Sequence, residues 1–175
     1  MSPSGQPTPP IAIAAEPAEV TSHLTATRVE ITPAQIDALL ATGATVSTVD
    51  GEIVEASRDW WPLAMIWALD GEVGARAAAI VRPADAAQVA AVLKVCDETR
   101  IPVTAAGGRS GVCGASVPVH GGVLLDMTAL DGIVDVDLDS MLVRVLPGTF
   151  GTWLDRKSTR LNSSHSQQSR MPSSA

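Results

Sequence analysis

The sequence predicts a mixed helix-and-strand domain with a partly parallel sheet, on three observations. The 175 residues are 46% hydrophobic and 18% charged, which is the composition of one globular core. Residues 77–81, 84–100 and 101–105 read as strand, helix and strand, an order that implies a right-handed crossover and a parallel pair. Residues 133–137 and 141–146, joined through Leu138, Asp139 and Ser140, read as a hairpin.

The elements follow in order. Residues 1–30 carry Pro3, Pro7, Pro9, Pro10 and Pro17 among Ala, Ser and Thr, and lack the basic start and apolar stretch of a secretory signal. They are expected to form a flexible, uncleaved arm, followed by a helical segment over 31–75. There, Thr32 as N-cap, Pro33 at the first helical position and Gly43 as the stop mark a helix with Ile36, Leu39 and Leu40 on one face. Asp50 and Gly51 read as a turn. Residues 57–71, SRDWWPLAMIWALDG, bring Trp60, Trp61, Met65, Ile66 and Trp67 together, either as packing or as an aromatic wall beside a ligand. The strand over 77–81 ends at Arg82 and Pro83. In the helix over 84–100, Val89, Val92, Leu93 and Cys96 recur at i, i+3, i+4 and i+7, which makes Cys96 a buried small hydrophobe. Residues 122–126 form a further strand.

Composition also excludes several functions. Twelve Lys and Arg against nineteen Asp and Glu give a net charge of −7, which argues against nucleic-acid or anionic-membrane partners. No apolar run approaches the roughly 20 residues of a membrane span. Cys96 and Cys113 are too few for a disulfide framework and lack the spacing and histidines of a zinc site, so no metal and a reducing cytoplasm are expected.

Chemistry concentrates in residues 105–118, AAGGRSGVCGASVP, where Gly107, Gly108, Gly111 and Gly114 remove side chains over eight positions. A diphosphate favours such a loop, because backbone N–H groups approach its oxygens only where Cβ atoms do not intervene. The P-loop is excluded, since no lysine lies between Lys94 and Lys157. The dinucleotide fingerprint is excluded because the order is GGxxGxxG and the loop runs into Ser116, Val117 and Pro118 rather than into a helix. Spacing alone leaves phosphate binding and a purely structural loop both open.

Residues 77–151 as a whole are more specific. The run IVRPADAAQVAAVLKVCDETRIPVTAAGGRSGVCGASVPVHGGVLLDMTALDGIVDVD, followed by VRVLPGTFG, resembles the N-terminal FAD-binding, PCMH-type domain of the vanillyl-alcohol oxidase and p-cresol methylhydroxylase family. Within that family it is most similar to the alkyl-dihydroxyacetone-phosphate synthase branch, with glycolate oxidase and D-lactate dehydrogenase flavoproteins as cousins. The resemblance implies an α+β fold in which 76–154 make the first FAD-holding subdomain and the start of a second. It implies FAD as cofactor, with the diphosphate cradled by Ala105, Ala106, Gly107, Gly108, Arg109, Ser110 and Gly111. Arg109 stands where the synthase-like pattern has a third glycine, and is expected to point to solvent rather than to a phosphate. Cys113 falls where covalent relatives carry histidine, so the FAD is expected to be noncovalent. His120 is expected in an exposed turn. No catalytic base is offered before residue 155. The implied activity is that of an FAD-dependent oxidoreductase acting on a small molecule, with a synthase-like transferase or a non-catalytic nucleotide-binding module as alternatives.

Residues 155–175, DRKSTRLNSSHSQQSRMPSSA, hold seven serines and only Leu161 and Met171 as large apolar residues. They resemble the translation of a sequencing adapter on both sides of a three-residue index. The expectation is a non-native tail on the N-terminal part of a longer protein whose reading frame was cut after Leu154.

Overall fold

The structure, a computed structural model, describes residues 9–151 and Leu154; the 155–175 tail lies outside the described residues. Its centre is a four-stranded sheet in the order β2(Thr45–Ser47), β4(Ala79–Arg82), β6(Val123–Asp126), β5(Val103–Ala106). β4, β6 and β5 run parallel, and β2 is antiparallel to β4 at the edge. The crossover helix α4(Ala86–Thr99) thus joins two parallel strands that are not neighbours. β6 enters between them and completes both ladders, a long-range pairing that no local pattern reports.

Helix boundaries follow their caps. Thr32 and Gln35 form a reciprocal capping box at the start of α1(Pro33–Leu40), and Asp85 accepts from the Gln88 backbone N–H to open α4. α4 ends on Arg100 in the left-handed region at φ 57°. Leu39, Val81, Val92, Cys96, Val123 and Leu125 share one core between α1, α4 and the sheet. Leu40 and Leu93, expected on those buried faces, are instead exposed, because α1 turns only Leu39 fully inward and α4 presents Val89 and Val95 to the core.

Two other expectations are corrected. Asp50 and Gly51 do not turn the chain; they open α2(Asp50–Ala56), whose Ile53 and Ala56 pack on Ile80 and Leu124 across the second face of the sheet. From residue 9 onward the arm lies against the body. Ala14 N–H donates to the Ala68 carbonyl of α3(Pro62–Leu69), and β1(Thr21–Ser22) pairs parallel with β3(Glu72–Val73). Val20 is buried, and Val29 bridges to Gly121.

β7(Ile133–Asp137) and β8(Leu142–Val145) form the antiparallel hairpin, turned by Asp137 Oδ1 accepting from the Asp139 and Ser140 N–H groups. It carries exposed apolar residues on both strands, Val134, Val136, Leu142 and Val143 among them. Among the described residues, no helix is long and apolar enough to cross a membrane.

Candidate cofactor-binding site

The glycine-rich loop leaves the C-terminal end of β5 and returns to the start of β6, sixteen residues without a helix between parallel neighbours. In open α/β sheets ligands gather at this end of the strands. Among the described residues, the backbone N–H groups of 107–116 donate to no carbonyl or side chain, which leaves a run of donors for solvent or a ligand.

The glycines serve distinct contacts. A Cβ on Gly107 would stand 3.1 Å from the Pro147 carbonyl oxygen, and one on Gly108 would stand 2.9 Å from Phe150 Cε1. Their bare faces are filled by the turn that follows β8. A Cβ on Gly114 would strike the Trp61 ring at 2.7 Å, whereas one on Gly111 would meet Asp59 Oδ2 at an ordinary 3.7 Å. Ala105 and Ala106 end β5, Ala106 buried, while Ser110 and Gly111 are exposed.

Arg109 departs from the sequence expectation. It is 8% exposed, holds the left-handed φ of 51°, and its Nε has no partner among the described residues. Burial pulls its guanidinium below the usual arginine range, with the Asp126 carboxylate opposing that and Arg82 adding to it. The side chain points inward because the turn at Gly108–Arg109 sits over the strand ends, where Arg82 and Asp126 already make an ionic layer. Arg82 Nε donates to Asp126 Oδ2 at 3.1 Å and its other arm reaches Glu52 at 3.0 Å. Asp126 Oδ1 accepts from Thr128 N–H and Oγ1. Desolvation alone would lower Arg82, but the hydrogen bonds to Glu52 and Asp126 outweigh it and raise its pKa.

The tryptophan-rich segment forms the wall facing this loop. Trp61 lies over Gly114 and meets Trp67 edge-on at 5.2 Å, and Trp67 stacks on His23 at 4.3 Å. Arg58 beneath it is 1% exposed, tied to Glu55 and to the Ile11 carbonyl. Asp59 is fully buried; its Oδ1 accepts from Trp61 N–H at 3.0 Å and its Oδ2 faces Gly111. Sequence reasoning passed over Asp59, although an acid directly before two tryptophans and a proline in an apolar stretch was a usable signal. Arg82 and Asp126 carry no signal in the sequence beyond their place at strand ends, since their pairing joins residues far apart in the chain.

Cys96 is buried, which pushes its thiol pKa up, and Cys113 is exposed on the loop; both are free. A thiol reagent such as DTNB is expected to modify Cys113 at once and Cys96 only after unfolding. Rapid modification of two thiols per native chain would contradict the burial of Cys96. His120 is exposed, its carbonyl accepting from Val29 N–H.

The sequence profile of the FAD binding domain family matches residues 77–168, more than half of the chain. The chain belongs to this FAD-binding family. The three parallel strands β4, β5 and β6, the crossover helix and the glycine loop lie within the matched residues, which run past Leu154; the antiparallel edge strand β2 lies before them. A D-lactate dehydrogenase of Anaerostipes hadrus is 36% identical over 74 residues, 42% of this chain and 16% of the relative. The glycolate oxidase subunit GlcD of Escherichia coli K12 is 38% identical over 69 residues, 39% of this chain and 14% of the relative. In fold, an alkyldihydroxyacetonephosphate synthase superposes with TM-score 0.68 at 17% identity, over 88% of this chain and 29% of the synthase. A substrate-bound p-cresol methylhydroxylase gives 0.60 at 19% identity, over 78% and 27%. The FAD-binding chain therefore aligns with less than a third of each of these proteins.

Proposed function

We propose that the chain is the FAD-grasping part of a larger FAD-linked oxidoreductase, in which residues 105–111 hold the cofactor diphosphate. The single observation carrying this is the loop itself: ten successive backbone N–H groups without protein acceptors among the described residues, at the carboxyl ends of parallel strands. Gly107 and Gly108 let the loop close on Pro147 and Phe150, and the buried Arg109 supplies the cation that a diphosphate needs. The bound FAD would accept a hydride from a small-molecule substrate. The chain's part is to bind and orient, and no residue among those described is assigned as its catalytic base. A reducing, cytoplasmic setting is part of the same reading and accords with two free thiols.

The test is to add FAD to the purified chain and follow flavin fluorescence. Quenching that saturates supports the reading, and its absence with a folded chain overturns it. Noncovalent binding is expected, so acid precipitation should leave all yellow colour in the supernatant. Colour retained in the pellet by the native chain and lost in Cys113→Ser would make Cys113 an anchor. The adapter reading of 155–175 is tested by sequencing the gene across codon 154: it requires the genomic text to depart at Asp155, and the family match to residue 168 weighs against it.

A further inference from the structure

Three buried side-chain polar atoms lack a partner among the described residues: Asp59 Oδ2, Trp60 Nε1 and Arg109 Nε. Arg109 belongs to the diphosphate loop already described. Asp59 does not. It comes from the segment between α2 and α3, its side chain is fully buried, and one oxygen is spent on the Trp61 N–H. The other lies against Gly111, where an added Cβ would stand 3.7 Å from it, and Gly111 is the one glycine of the 107–111 stretch that no neighbouring atom crowds more closely than that. A buried carboxylate oxygen left without a donor is costly, and natural structures rarely keep one without a use.

We propose that Asp59 is a cofactor-binding residue that accepts a hydrogen bond from a sugar hydroxyl flanking the diphosphate. The inference rests on the FAD reading above. An ionised carboxylate only accepts, and it repels phosphate oxygens, so its ligand partner has to be a donor. In a dinucleotide whose diphosphate sits on residues 107–111, the donors nearest that group are the hydroxyls of the adjoining ribose and ribityl chain. Trp60 Nε1, a buried donor on the next residue, adds a group that a hydroxyl oxygen could satisfy.

The experiment titrates FAD and, separately, inorganic pyrophosphate against the full chain and its Asp59→Asn variant, which keeps an oxygen for the Trp61 N–H. FAD affinity should fall about tenfold, as for a lost hydrogen bond to a charged group, while pyrophosphate affinity stays the same or rises with the negative charge gone. Asp59→Ser, which also keeps an oxygen, should give the same split. ADP then identifies the sugar: a parallel loss assigns the ribose, and a loss confined to FAD assigns the ribityl chain. Equal losses for FAD and pyrophosphate would show that Asp59 only shapes the loop. Unchanged binding with a lower melting temperature would show that its partner lies within the protein, and failure of both variants to fold would do the same. If the unsubstituted chain binds neither probe, the cofactor reading itself fails, and the Asp59 proposal falls with it before any substitution is made.

Discussion

Gly122→Ala is expected to destabilise the domain by about 3 kcal/mol, the sum of left-handed strain and backbone overpacking. Gly122 has φ +67°, and a Cβ there would stand 2.2 Å from the Pro102 carbonyl oxygen. That oxygen cannot swing away, because it accepts the Val123 N–H that begins the pairing of β6 with β5. Gly122 is held from both other sides as well. Its N–H donates to the Val29 carbonyl, and its own carbonyl accepts from Ala78 and Ala79. The clash therefore falls on the point where three segments meet, and the melting temperature should drop by about 10 °C. Gly151→Ala, where nothing lies within 4 Å of the added methyl, is the control and should change the melting temperature little. Equal behaviour of the two variants would refute the account.

Gly108→Val is expected to weaken FAD binding by at least about tenfold while leaving far-ultraviolet circular dichroism largely intact. The valine Cβ would meet Phe150 Cε1 at 2.9 Å. A phenyl ring edge can move, so the fold survives, but the branched side chain itself displaces the loop backbone from the path on which its N–H groups would meet a diphosphate. Pairing the substitution with Phe150→Ala separates the two effects. Removing the ring should restore much of the thermal stability without restoring FAD affinity, because the branched side chain still obstructs the loop. Full recovery of binding in the double variant would show that Gly108 serves packing alone.

The parts of this fold that depend on near neighbours in sequence were legible in it. Thr32 with Gln35, Pro33, and the apolar recurrence at Val92 and Cys96 act within a few residues, and those helices form where the pattern put them. The hairpin turn at Asp137 is equally local. Placement within the structure was less legible. Leu40 and Leu93 satisfied their patterns and yet face solvent, since the sheet covers a narrower stripe of each helix than the pattern allows. Residues 9–30 are rich in proline and poor in propensity, and contacts with distant segments give them a fixed path: the Ala14–Ala68 hydrogen bond, Arg58 on the Ile11 carbonyl, and the pairing with β3 and Gly121. The glycine loop stands out in the sequence as four glycines in eight residues, a spacing that leaves phosphate binding and a structural loop both open, whereas the approach of Asp59 and of the Phe150 ring to that loop is a contact between distant segments.

By itself the sequence determined the α+β class and the FAD-binding family, because each is written in contiguous residues from 77 to 151. Tertiary structure alone decided the insertion of β6 between β4 and β5, which rests on hydrogen bonds between strands some twenty to forty residues apart. It also decided the direction of Arg109. A long cationic side chain favours water by default, and only the left-handed turn above the Arg82 and Asp126 pair turns this one inward.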